Sequence, residues 1–147
     1  MTHDEEYGDN MVTMLELIWG EGYMAPGGPG NVAKLLSGIE TQGKRILDIG
    51  CGIGGPALEM AKSHGAQVVG IDLEAPLIER ANQSAHDLGL AGRCGFQAVD
   101  AGDLPFANES FDVVINSGAF TQTPNKNEIF AEAFRVLKRG GTLSSYD

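Results

Sequence analysis

"RILDIGCGIGGPALEMA", residues 45–61, passes from an apolar run into Gly50, Gly52, Gly54 and Gly55 and then into a helical pattern. A short apolar run such as RILDIG suits a strand buried on both faces. Pro56 stands where the first turn of a helix has no use for an N–H. Strand, glycine-rich loop and helix start, in that order, make an opening for a nucleotide-like ligand. Glycines let the backbone approach a ligand without obstruction and supply positive φ where the turn needs it. The motif leaves open which ligand.

Outward from this stretch the chain alternates. QVVGID (67–72) reads as the next strand, and EAPLIERANQSAHDLG (74–89) as a helix with Leu77, Ile78, Ala81, Ala85 and Leu88 on one stripe. CGFQAVDA (94–101) and FDVVINSG (111–118) are two more strands. NEIFAEAFRVLKRGG (127–141) is a helix by the spacing of Ile129, Phe130, Ala133, Phe134 and Leu137, stopped by Gly140 and Gly141. TLSSYD (142–147) begins a fifth strand. Strands alternating with helices predict an α/β domain with a mainly parallel sheet. Upstream, Met11, Met14, Leu15 and Ile18 share a helical face, GEGYMAPGGPG breaks it, and NVAKLLSGI (31–39) forms a second short helix. Residues 1–43 thus read as a helical segment preceding a core over 44–147.

The 147 residues carry a formal net charge of −10, with 42% hydrophobic and 20% charged side chains. That is one domain of ordinary soluble composition, and the acidic balance argues against nucleic acid or an anionic membrane as the main partner. MTHDEEYGDN is acidic and polar, unlike a signal peptide, and no apolar run reaches bilayer length. Cys51 and Cys94 lack metal spacing and read as reduced thiols of a cytoplasmic protein. His3, His64 and His86 form no ligand pair, so no metal site is expected.

Three carboxylates narrow the ligand. Asp48 lies inside the first strand, two residues before Gly50, where it would repel a pyrophosphate and suit a cationic group such as the ammonium and sulfonium of S-adenosylmethionine. Asp72, closing the second strand, suits both ribose hydroxyls of a nucleoside, which NAD shares; Leu73 beside it can pack on adenine. Asp100, closing the third, can accept from the adenine amino group, with the Ala101 backbone adjacent. Each has a plainer reading: Asp48 as a satisfied structural carboxylate, Asp100 as a turn cap. A P-loop lysine is missing, which removes ATP.

ILDIGCGIGG, GIDLE, AVDAGDLPFANESFDVVIN and AFRVLKRGGTL, over residues 44–147, resemble the successive motifs of class I S-adenosylmethionine-dependent methyltransferases. The resemblance implies a Rossmann-like, doubly wound fold and S-adenosylmethionine as cofactor, with S-adenosylhomocysteine as product. YGDNMVTMLELIWGEGYMAPGG, residues 7–28, is similar to the opening segment of phosphoethanolamine and of sarcosine and dimethylglycine N-methyltransferases, where it folds over the cofactor as a lid. On that resemblance Tyr7 contributes to the active site, Met24 and Ala25 line the cofactor pocket, and Asn116 is a cofactor-side residue. The phosphobase pattern of Arg-Asp followed by a histidine is replaced by Ser117, Gly118 and Gln122. Glutamine takes no proton near neutral pH, so the Tyr–His latch is not reproduced and phosphoethanolamine specificity is not implied.

The resemblance implies methyl transfer to a small-molecule acceptor, an amine first, with Tyr7 and Gln122 as the catalytic candidates. Relatives continue past the fifth strand with further helix and antiparallel strands. A chain stopping at Asp147 is expected to be a fragment of a longer one; otherwise a second copy closes the free strand edge as a homodimer. Two other readings stand beside the enzyme: a module that holds S-adenosylmethionine or S-adenosylhomocysteine without turnover, and a NAD-binding dehydrogenase domain.

Overall fold

A computed structural model describes residues 28–116 and 124–145. In chain order these form α1 (Gly28–Leu35), β1 (Arg45–Ile49), α2 (Gly55–Ser63), β2 (Gln67–Asp72), α3 (Ala75–Asp87), β3 (Cys94–Ala98), β4 (Phe111–Asn116), α4 (Lys126–Val136) and β5 (Leu137–Ser145). The five strands make one sheet in the order β3-β2-β1-β4-β5, and every pairing between them is parallel. The chain steps outward from β1 to β3, then returns to β1's other side for β4 and β5. The reversal opens a crevice at the carboxyl ends of β1 and β4, where sheets of this kind take their ligands.

Central strands with neighbours on both sides need apolar side chains on both faces, and β1 buries Ile46, Leu47 and Ile49 completely or nearly so. Ile46, Val68, Cys94, Phe96, Val113 and Ile115 face one layer, formed by α1, α2 and α3. Leu47, Ile49, Ile71 and Val114 face the other, covered by α4 through Ala133 and Val136 and by Leu104. Phe96 sets the spacing of the first layer. A Cβ on Gly54 would lie 2.7 Å from its ring, and one on Gly70 2.6 Å, so both glycines exist to admit one aromatic side chain.

Several elements end elsewhere than their patterns predict. The last helix stops at Val136, because Leu137 turns extended (φ −80, ψ 132) while its N–H still bonds Ala133 O. Phe111 then pairs with Leu137 but Val113 with Thr142, so LKRGG is a bulge inside β5. On α4 the stripe that meets the sheet is Ile129, Ala133 and Val136, leaving Phe130 40% and Phe134 62% exposed. Two apolar stripes lay side by side, and only the sheet's position chose between them. Leu88 is likewise exposed, just past the end of α3, and Leu90 is buried instead. The third strand ends at Ala98, and Asp100 falls in the turn beyond it. The helix expected over residues 10–19 lies outside the described residues. Among those described, no helix is long and apolar enough to cross a membrane.

Candidate functional site

The loop after β1 folds inward on itself. Gly50, Gly52 and Gly54 have φ of 80, 55 and 89, the left-handed region that side chains resist. Their amides are already committed. Gly50 N and Cys51 N donate to Ile71 O at 2.9 and 3.0 Å, and Gly54 N donates to Cys51 O at 3.0 Å. Gly52 N donates to Asp72 Oδ2 at 3.0 Å. A phosphate-binding loop turns such N–H groups toward its ligand. Here three of them are spent on backbone carbonyls within the fold and the fourth on Asp72, and two carboxylates flank the loop.

Asp72 closes β2, half-buried. Its Oδ2 holds Gly52, and its Oδ1 accepts from Glu74 N at 3.0 Å, at the start of α3. An ionised carboxylate has about four acceptor directions, so lone pairs remain for two hydroxyls. Leu73 follows with 70% of its surface exposed, an apolar face beside the carboxylate.

Asp48 sits one register step below the strand end, opposite Gly70 on β2 and Ile115 on β4. It has no exposed surface and lies beneath the loop. Burial, then the charges of Asp48 and Asp72, push the Cys51 thiol well above its usual range. Burial and Asp48 push Cys94 up to about 12, against an opposing pull from Arg93. Both thiols are therefore neutral packing groups.

Asn116 ends β4, fully buried, in register with Ile49 on one side and Ser145 on the other. Its Nδ2 donates to Ser145 Oγ at 3.0 Å. Ser145 joins the crevice only through the sheet register.

Asp100 adopts its plainer reading in the chain itself. It is exposed, its Oδ1 accepts from Gly102 N at 2.8 Å, and its carbonyl accepts from Asp103 N at 3.1 Å. The turn is anchored to β2 through Val99 N and Asp72 O at 3.1 Å. Ala101, half-buried, packs on the α4 side of the core. Asp48, Asp72, Asp100, Asn116 and the glycine loop thus converge on the carboxyl ends of adjacent strands. Tyr7, Met24, Ala25, Ser117, Gly118 and Gln122 lie outside the described residues.

Sequence reasoning passed over two further features. Phe96, which shapes the glycine loop, carried no signal beyond being aromatic. Glu132 and Arg135 did carry one, an acid–base pair at i,i+3 on a helix, and they prove to bind the loop that follows Asp100.

A family model described as a methyltransferase domain matches residues 40–147. An uncharacterized protein of Haemophilus influenzae is 34% identical over 146 residues, which cover 97% of this chain and 57% of that one. The 24-methylenesterol C-methyltransferase 2 of Oryza sativa subsp. japonica is 34% identical over 150 residues, covering 94% of this chain and 41% of its own length. Among solved structures, Haemonchus contortus phosphoethanolamine N-methyltransferase 2, in complex with S-adenosyl-L-methionine, superposes with a TM-score of 0.84. It is 32% identical, over 90% of this chain and 31% of that one. The chain spans between about a third and three fifths of the length of these relatives.

Proposed function

The chain belongs to the methyltransferase-domain family, and on that premise we propose that it is the cofactor-binding core of an enzyme that methylates a small molecule with S-adenosylmethionine. The observation that carries this is the direction of the glycine-loop amides. Gly50, Cys51 and Gly54 donate to backbone carbonyls within the fold and Gly52 donates to the Asp72 carboxylate, while half-buried Asp72 flanks the crevice and Asp48 lies buried beneath the loop. A pyrophosphate would meet carboxylates instead of donors, which disfavours NAD; a ligand with an ammonium and a sulfonium meets the complementary field. The residues fit the rest of that molecule as well: Asp72 retains acceptor capacity for ribose, and Leu73 offers an exposed apolar face to a base.

When bound, the sulfonium supplies a methyl group already activated for displacement, leaving S-adenosylhomocysteine. The protein's task is then to align the acceptor and exclude water. In this reading Asp48, with Gly50, Gly52 and Gly54, holds the cationic end of the cofactor; Asp72 and Leu73 take the ribose and base; Asp100 and Ala101 take the adenine edge; and Asn116 closes the crevice beside β4. Tyr7 closes over the site, Met24 and Ala25 line the cofactor pocket, and Tyr7 with Gln122 orients the acceptor. An amine acceptor, neutral at nitrogen when it attacks, is the finer expectation. It draws support from the likeness to an N-methyltransferase, while the relative from rice is named for C-methylation.

The reading includes a cytoplasmic protein that binds no nucleic acid, in keeping with the net charge of −10. The alternative raised by the sequence is a second copy pairing along the outer edge of β5. The opposite edge is guarded: on β3, Asn82 Nδ2 donates to Phe96 O and Asn82 Oδ1 accepts from Phe96 N, both at 3.1 Å. A monomer in sedimentation at micromolar concentration would remove the pairing.

The alternative is a module that holds the cofactor without turnover. Calorimetric titration with S-adenosylmethionine, S-adenosylhomocysteine and NAD, followed by a screen of small amines, separates the possibilities. Binding of the first two with methyl transfer supports the enzyme, binding without transfer supports the module, and binding of NAD alone overturns both. A Tyr7→Phe variant that keeps full turnover would remove the role given to Tyr7.

A further inference from the structure

Arg135 uses every N–H it has. Its Nε donates to Glu132 Oε2 at 2.6 Å and its Nη2 to Glu132 Oε1 at 3.1 Å. Nη2 also donates to Leu104 O at 2.9 Å, and Nη1 to Phe106 O and Asn108 Oδ1, both at 2.8 Å. Glu132 Oε1 accepts in turn from Leu104 N at 2.8 Å. A guanidinium has five N–H donors in a rigid fork, and all five are spent on one partner helix residue and one loop. Arg135 keeps 32% and Glu132 17% of its side-chain surface exposed, so the pair lies under the loop and not out in solvent.

That loop is the continuation of the Asp100 turn. Leu104 is held at both its N–H and its carbonyl, four residues after Asp100. At the other end of α4, a Cβ on Gly102 would stand 2.7 Å from Asn125 Nδ2 and 3.4 Å from Glu128 Cβ, so the turn itself rests on the first turns of the helix. The backbone immediately after the loop is bound too, with Glu109 N on Arg135 O and Ser110 N on Val136 O at 2.9 and 2.8 Å. Asp72 is placed by amides two and twenty residues away; Asp100 has one local amide, Gly102 N, and the loop that follows it is held by contacts from a helix about thirty residues downstream.

We propose that Arg135, acting with Glu132, is the positioning residue for the adenine side of the site: the fork holds residues 104–108 on α4 and thereby fixes where the Asp100 carboxylate stands. The inference rests on the cofactor reading above. It adds a distinction to that reading, because loosening the fork costs selectivity for the adenine amino group before it costs the rest of the ligand.

The test compares S-adenosylhomocysteine with S-inosylhomocysteine, in which the adenine amino group is a carbonyl, by calorimetry on the whole chain. With Asp100 in place as an acceptor, the wild type prefers the adenosyl ligand by about tenfold or more, the range of a hydrogen bond to a charged group. Asp100→Asn, which can turn a donor to the carbonyl, removes or reverses that preference. Arg135→Gln brings the ratio to within about threefold of unity, and Arg135→Lys does not restore it, because an ammonium cannot span five acceptors. Arg135→Gln combined with Asp100→Asn changes the ratio no further than Asp100→Asn alone. Val32→Ala, in the opposite layer, lowers stability and leaves the ratio untouched, which separates positioning from general loosening. Glu132→Gln reads the same ratio should either Arg135 variant fail to fold. A wild-type preference that survives intact in Arg135→Gln and Glu132→Gln overturns the inference alone. Failure of the wild type to bind either ligand overturns the cofactor reading, and the inference with it.

Discussion

Asp72 and Asp100 are both carboxylates at the carboxyl ends of neighbouring strands, yet they are held by different physics. Asp72 is gripped within its own βαβ unit: Gly52 and Glu74 donate to its two oxygens, and Phe96 closes over the left-handed Gly54 at the end of the loop. Asp100 stands on an exposed turn that closes on itself and is steadied from outside by α4. The first arrangement is stiff because backbone and a buried ring over-determine it. The second depends on side chains that can move. One half of the crevice is therefore built into the fold, and the other is attached to it.

The comparison can be broken most severely at Gly54. A methyl there meets Phe96 at 2.7 and 2.9 Å and Ala81 at 3.1 Å, on a residue with φ 89. Gly54→Ala is expected to cost about 1–3 kcal/mol of overpacking and a further ~1–2 kcal/mol for the left-handed backbone. Urea denaturation should show a lower midpoint at unchanged slope. Asp72→Asn comes next. An amide offers one acceptor oxygen where two N–H groups are waiting, so stability is expected to fall by about 1–3 kcal/mol, and affinity for S-adenosylhomocysteine by tenfold or more in calorimetry.

Gly102→Ala sharpens the contrast from the other side. Its nearest obstacle is Asn125 Nδ2, the end of a side chain that can swing away, so the loss is expected to stay within about 1 kcal/mol by the same denaturation assay.

Acid distinguishes the halves more gently. The hydrogen bond from Arg135, supported by Leu104 N, holds the Glu132 carboxyl below its ordinary range against the opposing effect of burial. A depressed folded value means that the contribution is complete above the ordinary carboxylate range and is lost as pH falls through the folded value. Amides of Leu104, Phe106, Ala107 and Asn108 should then lose protection below the ordinary carboxylate range, after allowing for the intrinsic pH dependence of hydrogen exchange, while those of β1 and β2 hold theirs. Equal loss of protection in both regions would contradict the division drawn here. The smallest effect is expected at the cysteines. With Cys94 raised to about 12 and Cys51 buried beside Asp48, iodoacetamide at pH 8 should label neither in the native chain, and labelling should appear only with unfolding.

Much of the first half was legible because its determinants are local. RILDIG, the glycines and Pro56 lie within a dozen residues, and the observed β1, loop and α2 follow them closely. Asp72 and Leu73 could be read because the end of an apolar strand is itself a marker. Legibility fell where the outcome depended on distant partners. Phe130 and Phe134 share a helical period with Ile129 and Ala133, so periodicity alone could not choose the inward stripe. LKRGG carries helix-stop glycines, yet it became a bulge because β4 offered a strand to pair with immediately after Val136.

The sequence by itself determined the alternation of strands and helices, the left-handed glycine loop and the acidic character of the strand ends, since these follow from backbone sterics and short-range pattern. Tertiary structure decided which way the loop amides point, that Asp48 is sealed from solvent, that Ser145 meets Asn116, and that Arg135 governs the turn bearing Asp100. Each of those depends on register or on a contact between residues far apart in the chain, and no local period encodes a distance.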